Sequence, residues 1–191
     1  FATSTLAAPK KRTRYSIKPV MWWDARKDAF EPYFPVGWYS FGSSAQIMEL
    51  AANGSNTALY AGLGTESYHL PDTLKQLNIA SKLGVKIVLG LAPSVVGRVV
   101  LNDRKTHGVI PQYVKTFNKH PAVLGWQLGD EFSPEAAPRI NDTVALLRKL
   151  GSKHQTWQVH PHTWGAKAVK KLMARTDVCT VGSVSRGTGI D

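Results

Sequence analysis

The chain has 191 residues, 43% hydrophobic and 9% aromatic, enough for one substantial core and most simply a single domain. Its 24 Lys and Arg against 13 Asp and Glu give +11, but four positives, Lys10, Lys11, Arg12 and Arg14, fall in an opening stretch without acids, and setting them aside leaves +7 on the body. The single cysteine, Cys179, excludes an internal disulfide, the lack of any apolar run of about 18 residues excludes a membrane-spanning helix, and there is no phosphate loop, zinc-finger spacing or RNA-binding signature.

Residues 1 to 15, small, hydroxylated and basic, read as a flexible arm or the remnant of a processed leader, secretory or mitochondrial. Sequons at Asn53 and Asn141 fit an extracellular or secretory location. The positive body favours acidic surfaces in general through its long-range field. The basic cluster "KAVKKLMAR", residues 167 to 175, has a helical explanation: Val169, Leu172 and Met173 share one face, so Lys167, Lys170 and Lys171 take the solvated one. A nucleic-acid partner is therefore not expected.

From residue 35 onward, short apolar runs alternate with helical patterns. The runs are "PVGWYSF" from 35, "TALYAGL" from 57, "VKIVLGLA" from 85, "AVLGWQLG" from 122, "TWQVHP" from 156 and "VCTVGSV" from 178. Each is apolar on both alternations, as parallel strands covered on both faces require. Between them, "LPDTLKQLNIASKLG" places Leu70, Leu74 and Leu77 on one stripe and ends at Gly84. "IPQYVKTF" places Ile110, Tyr113, Val114 and Phe117 at helical spacing, with Pro111 where its missing N–H costs little. "SPEAAPRINDTVALLRKLG" has Ser133 as N-cap and Pro134 at N1, a stripe of Ile140, Val144 and Leu147, and a terminating Gly151. Cys179, inside an apolar strand, reads as a buried inert thiol.

Two architectures suit this order, an open doubly wound sheet and a (β/α)8 barrel. The first strand is followed by "GSSAQIM" with no G-x-G-x-x-G, so the barrel is preferred. The expected fold class is thus α/β, TIM-barrel-like, with about six βα units spanning residues 16 to 191 where a full barrel has eight.

In a barrel the C-terminal ends of the strands form the rim on which active sites are built. The fourth strand ends in two adjacent carboxylates, Asp130 and Glu131. The segment "HPAVLGWQLGDEF", residues 120 to 132, resembles the fourth-strand motif of the retaining glycoside hydrolases of clan A, where a Glu at this strand end is the general acid/base. "FPVGWYSFG", "GSNTALYAGL" and "ASKLGVKIVLGLA" resemble the first strand, the second strand and the step into the third. "IKPVMWWDARKDAFEPYF" resembles the hairpin that often precedes such barrels and covers their N-terminal end. The likeness runs from about residue 16 to residue 183.

The resemblance implies a glycosidase acting on O-glycosidic bonds of a carbohydrate, with Glu131 as acid/base and Asp130 where an Asn often contacts the sugar 2-hydroxyl. No cofactor and no metal is implied. The implied nucleophile, roughly 5 Å from the acid, comes from a seventh strand in that family. Six units do not reach it, so a C-terminal continuation or a partner chain completing the barrel is expected. Other rim carboxylates are Glu66, Asp103 and Asp191, while Asp177 reads as a turn or cap residue. The alternative is a catalytically inactive barrel-derived subunit for carbohydrate binding or assembly. Aromatic rings stack on pyranose faces, which makes Trp38, Tyr39, Tyr60, Tyr68, Trp126 and Trp164 candidate sugar contacts, with His160 a candidate hydroxyl partner. Gln127 is expected inside the barrel, bonded to its neighbours.

Overall fold

The computed structural model describes residues 20–39, 42–63, 70–161, 165–172 and 174–182. An antiparallel hairpin, β1 (Val20–Asp24) and β2 (Ala29–Tyr33), precedes the main sheet. The sheet contains β3 (Gly37–Trp38), β4 (Thr57–Leu63), β5 (Lys86–Leu91), β6 (Val123–Asp130), β7 (Gln155–Pro161) and β8 (Val178–Gly182). Every neighbouring pair is parallel, and the strands lie side by side in chain order, β3-β4-β5-β6-β7-β8. A doubly wound sheet reverses its order at a switch point; this one does not, so it is a run of βα units of barrel type. Five strands have five to eight residues, whereas β3 pairs over two, shorter than the run read from residue 35.

Helices α1 (Ser44–Ala52), α2 (Leu70–Lys82), the short α3 (Pro93–Val96), α4 (Ile110–Phe117), α5 (Ala137–Lys149) and α6 (Ala166–Leu172) connect the strands. α1 begins with a reciprocal capping box: the Ser43 hydroxyl accepts from the Gln46 N–H while the Gln46 side chain accepts from the Ser43 N–H. α4 buries Ile110, Tyr113, Val114 and Phe117, the four positions its sequence period selects; each contributes roughly 1.5–3 kcal/mol of apolar burial. α5 buries Ile140, Val144 and Leu147, as its stripe requires. Its start differs from the expectation: a 3-10 turn over Pro134–Ala136 intervenes, and Ser133 caps through its backbone carbonyl, which accepts from Ala136 N at 2.9 Å. α2 and α5 end at Gly84 and Gly151, with φ of 73° and 85°, the left-handed region that suits glycine.

The two faces of the sheet bury different groups. The helix-facing side holds Ala58, Ile87, Leu89, Val123, Trp126 and Leu128, packed with the apolar faces of α2, α4 and α5. The opposite, concave side holds Leu59, Val88, Leu124 and Trp157, covered by Trp22 of the hairpin. These residues lie at or near strand starts, so the hairpin packs against the N-terminal end of the sheet. Two lysines clasp it there. Lys86 Nζ sits 4.0 Å from the Trp22 ring centroid and donates to the Pro121 carbonyl at 2.6 Å; Lys153 Nζ sits 4.1 Å from the Trp23 ring and 3.3 Å from Asp28. Burial, and then the Arg26 charge, bring the Lys86 amine down to about 8. Asp177 is structural, as expected for a turn residue: its Oδ2 accepts from Thr156 N, Thr156 Oγ1 and Arg148, tying the start of β7 to the approach to β8.

His154, fully buried before β7, donates from Nε2 to the Asn118 carbonyl at 2.8 Å. Burial lowers its pKa from 6.5 to about 4. Between those values the unfolded chain binds a proton that the folded chain does not, so stability is full above pH 6.5 and falls as pH drops toward 4. His154→Gln keeps a donor and removes the titration. Urea unfolding across this range is expected to show a pH slope shallower by up to one proton in the variant, a difference on the order of 3 kcal/mol at full extent. Identical slopes would mean that His154 is not held neutral.

Candidate active site

Strand alternation determines which predicted residues reach the C-terminal mouth. Parallel partners in register project to the same face. Gln127 is in register with Trp157 of the concave cluster, and the ladder shifts between Gln127 and Asp130, where Asp130 aligns with Val159. This irregularity keeps Asp130 on the concave side while the chain leaves the strand.

At that point four groups meet. Tyr39, directly after β3, donates its phenol hydrogen to Asp130 Oδ2 at 2.5 Å, and Gln127 Nε2 donates to the phenol oxygen at 3.2 Å. An amide nitrogen can only donate, which fixes the direction of the relay as Gln127 to Tyr39 to Asp130. Glu131 follows, exposed, its N–H donating to the Val159 carbonyl at 3.1 Å. Its φ is 52°, a left-handed conformation uncommon for a glutamate. Phe132 then folds back onto Gly129: a Cβ there would lie 1.9 Å from Phe132 Cε2, so the reversal needs glycine. The Tyr39 phenol is raised above its ordinary range by partial burial, then by the Asp130 hydrogen bond and by the Asp130 and Glu131 charges; the Gln127 bond acts in the opposite sense.

The structure therefore brings together Tyr39, Asp130 and Glu131 of the predicted site and adds Gln127. Gln127 is nearly buried and bonded within the barrel, as its sequence position indicated. Its place in the relay follows from its parity in β6, opposite to Trp126 and Leu128. Three predicted contacts lie elsewhere. Trp126 is fully buried in the helix-facing core, its indole N–H donating to Ser152 Oγ at 3.0 Å. Trp38 is in register with Ala58 of that same face and stands exposed at the sheet edge, turned away from the mouth. His160 alternates with the concave Trp157 and so takes the helix-facing side of β7, fully buried, with burial lowering its pKa.

Tyr60 lies in β4 in register with Leu89; its side chain and that of Cys179 are outside the described residues, as are Tyr68, Trp164, Glu66 and Asp191. Asp103 caps a 3-10 turn, accepting from Lys105 N at 3.1 Å, which accounts for that acid structurally. Among the described residues no group of three His, Cys, Asp or Glu is placed to hold a metal ion, and no helix is long and apolar enough to cross a membrane. Asn141, within α5, is half-buried with its amide oxygen shielded from solvent, whereas Asn53 ends α1 exposed.

No family model matches the chain and no curated protein matches its sequence. Solved structures match its fold. The FMN-binding beta-glucuronidase of Facaelibacterium prausnitzii L2-6 superposes with a TM-score of 0.58 at 15% identity, over 86% of this chain and 27% of that one. The chain has the fold of a (β/α) barrel segment of the kind these structures contain. The polyextremophilic beta-galactosidase of the Antarctic haloarchaeon Halorubrum lacusprofundi gives 0.55 at 11% identity, covering 82% and 41%. A glycoside hydrolase family 5 protein of Bacteroides vulgatus ATCC 8482 gives 0.51 at 11%, covering 69% and 37%. The chain thus spans less than half the length of each of these structures.

The relay has a spectroscopic consequence. In alkaline ultraviolet titration the folded protein is expected to show phenols ionising above the ordinary value of about 10, Tyr39 and Tyr33 among them. Tyr39→Phe removes one late step, and Asp130→Asn moves that step back toward the ordinary value. A titration unaffected by Asp130→Asn would show that the phenol does not bond to this carboxylate. Because the folded pKa is raised, the phenol's contribution to stability is present below pH 10 and declines as pH rises past it.

Proposed function

We propose that this chain is part of a glycoside hydrolase barrel that cleaves O-glycosidic bonds of a carbohydrate, with Glu131 as general acid and then base in a retaining double displacement. The observation that carries the reading is the pair Asp130–Glu131 at the C-terminal end of the fourth sheet strand, exposed at the mouth of a sheet whose fold matches those of glycosidases. Glu131 first protonates the departing glycosidic oxygen while a second carboxylate attacks the anomeric carbon from the opposite face. It then takes a proton from the water that hydrolyses the glycosyl intermediate. Asp130, an acceptor already oriented by Tyr39, receives a sugar hydroxyl. The second carboxylate comes from a further unit of the barrel, since Asp130 is engaged by Tyr39 on the same strand end and the other described strands bring no carboxylate to it. Tyr68 and Trp164, which follow β4 and β7 in sequence, remain candidate sugar platforms. An extracellular setting suits a polysaccharide substrate.

A second reading, a barrel-derived binding or assembly subunit without hydrolase activity, is favoured by one observation. Phe34 and Val36, just before β3, and Trp38 within it stand 80, 50 and 66% exposed, and among the described residues no strand pairs with the outer side of β3, an edge that is normally covered.

The protein from its native source, with its intact mass and peptide map established, is to be assayed against a panel of aryl glycosides. Hydrolysis with retention of anomeric configuration is expected, and Glu131→Gln should lower kcat/KM by about 10²–10⁴-fold. Hydrolysis that survives Glu131→Gln would remove this residue from the mechanism. Carbohydrate binding without turnover would establish the second reading.

A further inference from the structure

Resting on the reading of Glu131 as the proton-transfer group, we infer that Tyr39 is a positioning residue: by holding Asp130 from across the mouth it keeps the Glu131 backbone in its left-handed conformation and so aims the Glu131 side chain. Tyr39 belongs to the end of β3 and Asp130 to the end of β6, and β4 and β5 lie between them in the sheet. The bond therefore ties together two strand ends that share no ladder.

The turn at 129 to 132 is held at three points. On one side the Tyr39 phenol grips the Asp130 carboxylate. On the other, the Glu131 N–H is fixed to the Val159 carbonyl of β7 at 3.1 Å. Beyond the turn, the Phe132 ring occupies the space left by the absent Gly129 side chain. With Asp130 and the Glu131 amide anchored to opposite neighbours, the chain reverses within one residue, and that residue takes φ of 52°. A non-glycine residue stays in this region only when its surroundings over-determine it. Gln127 contributes by donating to the phenol oxygen, which leaves the phenol hydrogen committed to Asp130. Tyr39 itself acts through Asp130 and touches no reacting atom.

The test is a stability cycle that needs no activity: wild type, Tyr39→Phe, Glu131→Gly and the double variant, each unfolded in urea. Glycine relieves the left-handed strain, so Glu131→Gly is expected to raise the wild-type midpoint. In the Tyr39→Phe background the released turn has already relaxed, and the same substitution is expected to raise the midpoint less or to lower it. An equal gain in both backgrounds would overturn the inference, because the turn would then hold its shape without Tyr39. Where the aryl glycoside assay gives turnover, Tyr39→Phe is expected to lower kcat by about 10²-fold with KM little changed, the signature of a misaimed group. A loss confined to KM would also overturn the inference. If no glycoside is turned over but the cycle shows coupling, the hold of Tyr39 on the Glu131 turn stands, while the hydrolase reading, and with it the aiming of a proton-transfer group, fails.

Discussion

A parallel strand has no face it can leave to water, and this constraint organises the molecule. On the convex side the solution is conventional: α2, α4 and α5 lay their apolar stripes over Ile87, Leu89, Val123, Trp126 and Leu128. On the concave side no described helix packs. Near its N-terminal end it is closed by Trp22, inserted from the hairpin and kept in place by Lys86 and Pro121. At the C-terminal end the described groups are polar: Gln127, Tyr39, Asp130 and Glu131. Along this one face the described groups are thus apolar at the N-terminal end and polar at the C-terminal end, where the candidate proton-transfer groups stand.

The same constraint explains why the architecture was legible in the sequence. Strands buried on both sides must be apolar on both alternations, and β4 coincides with the run read from residue 57. The α4 stripe is recovered position by position because a helix on a sheet can bury only one face. Order was legible too, since sequential parallel strands follow from the βα beat once a dinucleotide turn is ruled out. β3 is shorter than its composition implies: "PVGWYSF" has the make-up of a buried strand, yet among the described residues it has one neighbour, and the ladder covers two residues.

The site was less legible, for a reason specific to strands. Trp38, Trp126 and His160 were chosen for their chemistry and their strand position, but a strand sends successive side chains to opposite faces. Composition cannot show parity when both faces are apolar. Trp126 and Gln127 are neighbours in sequence, and one is sealed under helices while the other reaches the mouth. The ladder shift before Asp130 changes the count again, and nothing in "GWQLGDEF" marks it except a glycine whose role appears only when the Phe132 ring is seen to occupy its side-chain space.

That glycine links sequence, strain and chemistry. Gly129 admits the Phe132 ring, the ring fixes the reversal, and the reversal places a glutamate where glutamate is conformationally uncomfortable. The cost is modest, on the order of 1–3 kcal/mol, and it falls on the single residue whose carboxylate lies beyond Asp130 at the mouth. A relaxed φ at residue 131 would let its side chain follow the helical direction toward the turn at Pro134–Ala136, where an acid would serve only the helix start. The left-handed turn bears on the two roles an acid at this position can have: it sets the Glu131 backbone apart from helix-start geometry and leaves the residue exposed, near enough for its charge to act on the Tyr39 phenol.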